Sequence, residues 1–214
     1  MHLSPSKIIC VGLNYRDHAE ETKGEVPPQP MFFSKFSDTL VPNKSNVLLP
    51  RTQRCFDYEG ELVIVLGADA YNISEQEADS RIYGYAAGND LSARDCQFIS
   101  GQWLIGKSFP GFAPVNFDVV PAADWSPYEE KYICTYVNGE LKQNGSTGNM
   151  IFSPREIVAA ASKYFALKAG DIIFTGTPAG VQLGKPKGER VWLTAGDTVT
   201  VEIEGLPQLV TYLK

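Results

Sequence analysis

The segment Asp57-Tyr58-Glu59-Gly60-Glu61 runs directly into Leu62-Val63-Ile64-Val65-Leu66. Side chains alternate along a strand, so Glu59 and Glu61 share a face with Val63 and Val65 and border a core surface. The apolar run itself has no alternation, as in a strand covered on both sides, and both acids are therefore expected to be partly desolvated. Two close carboxylates in such a place repel, and one stays protonated unless a cation neutralises them. Asp90 follows a second apolar segment, Ile82-Tyr83-Gly84-Tyr85-Ala86-Ala87-Gly88, in the phrase Gly88-Asn89-Asp90. If the two segments are neighbouring strands, three oxygen ligands converge at one sheet edge. That set suits a hard cation such as magnesium, which keeps several waters that substrate oxygens can replace. Spacing alone leaves a second reading open, in which Glu59 and Glu61 are solvated at a strand start and Asp90 caps the next turn.

The elements that must place these acids are many and short. Strands are predicted at residues 7–12, 31–36, 59–67, 82–88, 132–137, 171–175, 198–204 and 209–213. Asn138-Gly139 marks a two-residue hairpin into residues 140–143, because both positions tolerate positive φ. The clearest helix covers 154–165, with Ser153 as cap, Pro154 in the first turn and Glu156 completing a capping box. Shorter helices are expected at 15–21 and 74–81. The stretch 22–30, TKGEVPPQP, is too rich in Gly, Pro and charge to pack as an element and is a candidate mobile loop; 181–196 reads as a surface excursion. No repeat, low-complexity tract or linker divides the chain, so residues 1–214 are read as a single β-rich α+β domain.

With 43% hydrophobic and 21% charged residues, the composition is that of a globular protein, not a disordered or fibrous one. A net charge of −6 argues against a nucleic-acid binder and against attachment to anionic membrane through a basic patch. Cys10, Cys55, Cys96 and Cys134 are scattered without zinc spacing and read as free thiols. Residues 1–7 lack the pattern of a signal peptide, and no apolar run approaches the ~18 residues that span a bilayer; a cytoplasmic location is the expectation.

Several phrases resemble the fumarylacetoacetate hydrolase superfamily. They are Gly12-Leu13-Asn14-Tyr15-Arg16-Asp17-His18-Ala19-Glu20-Glu21, Asp57-Tyr58-Glu59-Gly60-Glu61-Leu62, Asn89-Asp90-Leu91-Ser92-Ala93-Arg94-Asp95 and Gly106-Lys107-Ser108-Phe109. Val137-Asn138-Gly139-Glu140-Leu141 and the run from Gly170 through Gly176-Thr177-Pro178 to Val181 agree as well. The resemblance covers nearly the whole chain, in family order. It implies a mixed β-roll or β-sandwich with few short helices, a homodimer or higher homo-oligomer, and magnesium or manganese held by Glu59, Glu61 and Asp90.

Such an ion acts as a Lewis acid on a small 2-oxo acid, taking up charge left beside the carbonyl as a metal-held enolate. The resemblance places Lys107 in the site, where it can bind substrate oxygens or stabilise developing negative charge. In a helix over 15–21, His18 and Glu21 lie at i and i+3, where the acid can orient the imidazole for proton abstraction from water; Glu20 is the alternative partner. In hydrolytic relatives the equivalent pair belongs to a segment that closes over substrate, and 22–30 would suit such a lid. Arg94 and Gln97 resemble substrate-contacting positions, although Arg94 can instead pair with Asp95. Thr177 can offer a hydroxyl or backbone donor to the substrate carboxylate.

The leading expectation is a metal-dependent hydrolase of acylpyruvate-like 2,4-dioxo acids. The alternative is a decarboxylase, isomerase or tautomerase of 2-oxo or 2-hydroxy-dienoic acids. Acylpyruvate-cleaving relatives carry a basic residue where this chain has Leu13.

Overall fold

The computed structural model describes residues 4–22, 24–127 and 130–214. Lys23, in the candidate loop 22–30, and His2 lie outside them. The largest sheet contains six strands: β1 (Ile8–Gly12), β2 (Met31–Lys35), β4 (Gly60–Leu66), β5 (Ile82–Asn89), β6 (Val120–Pro121) and β9 (Ile172–Phe174). Their spatial order is β6-β5-β4-β9-β1-β2, with β1 and β9 parallel and the other pairs antiparallel. A second sheet joins β3 (Ser45–Val47), β7 (Tyr132–Val137), β8 (Glu140–Ser146), β10 (Thr198–Ile203) and β11 (Leu209–Leu213) in the order β8-β7-β10-β11-β3.

The unalternating run of β4 has the expected cause. Leu62, Ile64 and Leu66 pack with Ile133, Val201 and Ile203 of the second sheet and with Ile157, Val158 and Ala161 of the helix Pro154–Tyr164. Val63 and Val65 face the other way, into a cluster with Ile8, Cys10, Phe174 and Val115. Every residue of β4 is consequently buried. The fold is α+β and β-rich, with mixed sheets and short helices. Among the described residues no helix is long and apolar enough to cross a membrane.

Local chemistry sets the boundaries. The Ser153 N–H and hydroxyl donate to Glu156 Oε2 at 2.7 and 2.6 Å, closing the capping box. Asn138 and Gly139 take φ of 52° and 81°, as the hairpin between β7 and β8 requires. The eight predicted strands are present with ends shifted by a residue or so. Residues 74–81 divide into an α-helical turn, Glu75–Ala78, and a 3-10 turn, Asp79–Arg81. Short pieces escape prediction because packing at a distance creates them: Phe56–Asp57 against Ser92–Ala93, and the single helical turns Arg94–Gln97 and Leu104–Lys107. The helix preceding them in sequence, between β1 and β2, spans Arg16–Thr22 and is called α1.

Candidate active site

β4 and β5 pair with Gly60 opposite Asn89 and Glu61 opposite Gly88. That register sets the residue before β4 against the residue after β5. The Asp90 N–H donates to the Glu59 carbonyl at 2.9 Å, and the Glu59 N–H donates to Asn89 Oδ1 at 3.0 Å. One carboxylate oxygen from each of Glu59, Glu61 and Asp90 lies within 4.8 Å of the others. The three residues are only 6%, 2% and 0% exposed, so they are not acids solvated at a strand end.

Buried carboxylates need compensation, and the protein supplies it unevenly. Lys107 donates to Glu59 Oε2 and, at 2.7 Å, to Asp90 Oδ2. Arg94 donates from Nη2 to Glu59 Oε1 at 2.7 Å and from Nε to Asp57 Oδ2 at 2.9 Å. Burial pushes the Glu59 carboxyl up, but Arg94 and Lys107 outweigh it and hold the group well below the usual carboxylate range. Burial pulls Lys107 down, and Asp90 with Glu59 more than reverses the effect; Arg94 is raised by Glu59 and Asp57 against the same penalty.

Glu61 lacks such a partner. Its Oε2 accepts the Gly176 N–H at 2.7 Å, yet burial, then the charges of Asp90 and Glu59, push its carboxyl well above the ordinary value. Asp90 Oδ1 is buried and lies 2.5 Å from Lys35 Nζ, which pairs its charge. Lys35 also donates to the carbonyls of Leu91, Lys107 and Phe112 at 3.1, 2.6 and 2.8 Å. Burial pulls Lys35 down and Asp90 restores only part of the shift. An all-oxygen donor set of three clustered carboxylates, one of which, Glu61, has no ion-pair partner among the described residues, fits a hard divalent cation, magnesium or manganese alike.

A second group of residues faces the acids. On α1, His18 Nδ1 lies 3.4 Å from Glu21 Oε2, one turn apart as the i, i+3 spacing requires. Glu21 Oε1 accepts the Gly180 N–H at 3.0 Å, whereas Glu20 is exposed and takes no part. The loop that receives α1 is held from below. Asp57 accepts the N–H groups of Gln182 and Leu183, both at 3.0 Å, and the Tyr58 hydroxyl donates to the Gly180 carbonyl at 2.9 Å. Asp57 and Tyr58 immediately precede the acid pair, so one segment anchors both halves of the site.

His18, Glu21, Glu59, Glu61, Asp90, Arg94, Gln97, Lys107 and Thr177 all border one cavity of about 500 Å³, whereas Glu20 does not. Hydrogen bonding already engages two of them. Arg94 does not brace Asp95, whose Oδ2 instead accepts the Arg54 N–H at 2.8 Å; its donors go to Asp57, Glu59 and, at 2.8 Å, Gln97 Oε1. It positions Glu59, leaving the Gln97 amide N–H groups on the cavity. The Thr177 hydroxyl is also committed, donating to the Gly60 carbonyl at 2.9 Å and accepting from Gln143 Nε2 at 2.8 Å. Its backbone N–H, without an acceptor among the described residues, is the donor that remains. Lys35, Asp57 and Gln143 were not anticipated: each is a lone polar residue that only long-range packing makes part of the site.

The chain is similar to known proteins over nearly its whole length. The family model described as "Fumarylacetoacetate (FAA) hydrolase C-terminal" matches residues 7–214. The chain is 39% identical to "Oxaloacetate tautomerase fahd2, mitochondrial" of Xenopus laevis over 95% of its own length and 64% of that protein's. It resembles the crystal structure of 5-carboxymethyl-2-hydroxymuconate delta-isomerase from Mycobacterium smegmatis, with 34% identity, TM-score 0.87, and coverage of 99% and 79% of the two chains. The fumarylpyruvate hydrolase of Pseudomonas aeruginosa, solved in complex with Mn2+ and pyruvate, is 32% identical with TM-score 0.87, over 98% of this chain and 89% of that one. The family-model match over residues 7–214, together with these likenesses in sequence and fold, makes this chain a member of the fumarylacetoacetate hydrolase family.

Proposed function

We propose that this chain is a divalent-metal enzyme of small 2-oxo acids, and that its reaction is proton transfer next to the oxo group: keto–enol tautomerisation or double-bond isomerisation. The observation that carries this reading is the buried triad Glu59, Glu61 and Asp90 opening onto the same cavity as the His18–Glu21 pair. A cation held by the triad supplies Lewis acidity toward the adjacent carboxylate and oxo oxygens of the substrate, stabilising negative charge on the neighbouring carbon.

The residues of the chain do the rest. His18 acts as the base, taking a proton from that carbon and returning it to the other end of the enolate, with Glu21 orienting the ring and balancing the imidazolium formed. The Gln97 amide and the Thr177 N–H are donors placed to orient the substrate carboxylate. Lys107 pairs with Glu59 and Asp90 and adds positive charge beside an anionic ligand. With Glu21 on Gly180, α1 limits the entry of bulk water.

The resemblance to a tautomerase and an isomerase supports this chemistry. Hydrolysis of 2,4-dioxo acids is the second reading, favoured by the same His18–Glu21 pair, which can equally deprotonate water, and by the resemblance to the fumarylpyruvate hydrolase.

The test is to supply oxaloacetate and acetylpyruvate with Mg2+, then with chelator, and to compare His18→Ala. Tautomerisation predicts metal-dependent enol–keto interconversion of oxaloacetate, slowed ~10²- to 10⁴-fold in His18→Ala with metal affinity intact. Metal-dependent cleavage of acetylpyruvate would instead establish the second reading. Turnover indifferent to chelator would overturn both.

A further inference from the structure

The basic side chains bordering the cavity differ in what they already hold. Lys107 is bound to Glu59 and Asp90, Arg94 to Asp57 and Glu59, and His18 faces Glu21. Arg190 borders the same cavity and has no carboxylate within ion-pair distance among the described residues. Its guanidinium is nevertheless fixed: Nε donates to the Lys185 carbonyl at 2.8 Å, Nη2 donates to the Leu183 carbonyl at 2.7 Å, and the group lies 5.7 Å from the centroid of the Trp192 ring. A guanidinium carries five N–H donors in a rigid fork. Those of Nη1 therefore remain without a protein acceptor among the described residues, on a half-buried group that is already oriented.

The carbonyl that holds Arg190 belongs to Leu183, whose N–H is tied to Asp57. Arg190 is thus fixed to the segment that anchors the acids and receives α1. A cavity of about 500 Å³ also has room for far more than a three-carbon oxo acid. Much of the remaining lining is apolar, from Leu13, Phe33, Phe98 and Trp103.

We infer that Arg190 is a specificity-determining residue that receives a second, distal anionic group of the substrate, so that the site selects 2-oxo acids with a carboxylate at the far end. The inference rests on the 2-oxo-acid reading above. A carboxylate there replaces water on a preorganised fork with charge-assisted hydrogen bonds. A methyl group at the same point leaves the fork desolvated and unpaired, and sites built to bond a polar group reject analogues that lack it.

The test uses a pair matched in length, 2-oxoadipate and 2-oxohexanoate, which differ only in the terminal carboxylate. Their affinities are measured by calorimetry on the Mg2+-loaded protein, in the wild type, Arg190→Gln and Arg190→Lys. The expected result is a preference of about tenfold to a hundredfold for the diacid, abolished in Arg190→Gln, partly kept in Arg190→Lys, with 2-oxohexanoate affinity unchanged throughout. Equal affinities in the wild type would overturn the inference, as would an equal loss for both ligands in Arg190→Gln, which would reduce Arg190 to a brace for its loop. Failure of both ligands to bind the wild type would overturn the 2-oxo-acid reading itself, and this inference with it.

Discussion

Gly184 is where α1 meets its docking loop, and a single methyl group there should separate catalysis from metal binding. A Cβ at this position would lie 2.3 Å from Glu21 Cδ and 2.5 Å from its Cγ and Oε2. Carbon contacts settle near 3.5 to 4.0 Å, so in Gly184→Ala the Glu21 carboxylate must retreat by ~1 Å or more. The backbone is not strained, since φ at Gly184 is not in the left-handed region. What is lost is the Gly180 N–H bond at 3.0 Å and the His18 contact at 3.4 Å. A hydrogen bond to a charged group contributes about 1.5–3 kcal/mol, and a catalytic group misplaced by about 1 Å costs ~10²-fold in rate.

Glu21 is a flexible side chain near solvent, so most of the stability is recovered by its moving aside. Gly184→Ala is therefore expected to lower kcat ~100-fold and Tm by only a few degrees. Metal affinity should stay within about twofold, because the ends of β4 and β5 place the acids independently of α1. The assay is steady-state turnover beside a cation titration by calorimetry. Unchanged kcat in a variant whose crystal structure shows Glu21 displaced would refute the role of the dyad. A parallel loss of metal affinity would refute the independence of the two halves.

Two further perturbations act on the buried charges. Glu61 is an acid raised above its ordinary value of 4.5. In metal-free protein the folded state keeps this proton at pH values where the unfolded chain has lost it, so its contribution is fully present below pH 4.5 and is lost as pH rises through the folded value. Glu61→Gln should remove that slope, raising Tm at neutral pH in chelator while abolishing the stabilisation that added Mg2+ gives the wild type; melting curves across pH check both. For the same reason, cation binding should release protons and tighten as pH rises, measurable by calorimetry in buffers of different ionisation enthalpy; affinity independent of pH would contradict the raised Glu61. Lys35→Met strips a donor from three carbonyls and an ionic partner from Asp90. Removing one partner of a buried ion pair costs about 3–5 kcal/mol, and denaturant unfolding should show a loss of that order.

The parity of Glu59 and Glu61 placed both acids on one face because strand alternation is local, and the unbroken run from Leu62 to Leu66 announced a strand covered on both sides. Asp90 needed one more fact, the β4–β5 register, which sequence spacing suggests but does not supply. The carboxylate neighbours of Arg94 show the limit. Asp95 is adjacent in sequence, yet the side chain turns to Asp57 and Glu59, because Phe56–Asp57 pairs with Ser92–Ala93. Lys35 was hidden altogether: a lysine ending an apolar strand reads as solvated, and its three carbonyl partners lie 56, 72 and 77 residues away. The family resemblance fixed which residues meet at the site, while long-range hydrogen bonds fixed which of them have donors left for a ligand, as Thr177 and Arg190 illustrate.

Crystals grown with Mn2+ and oxalate, measured for anomalous scattering at the manganese edge, address the site itself. One strong peak per chain should lie among the carboxylates of Glu59, Glu61 and Asp90, with oxalate oxygens completing its shell, and it should vanish in Asp90→Asn. No peak there, or a peak that survives that substitution, would contradict the assignment.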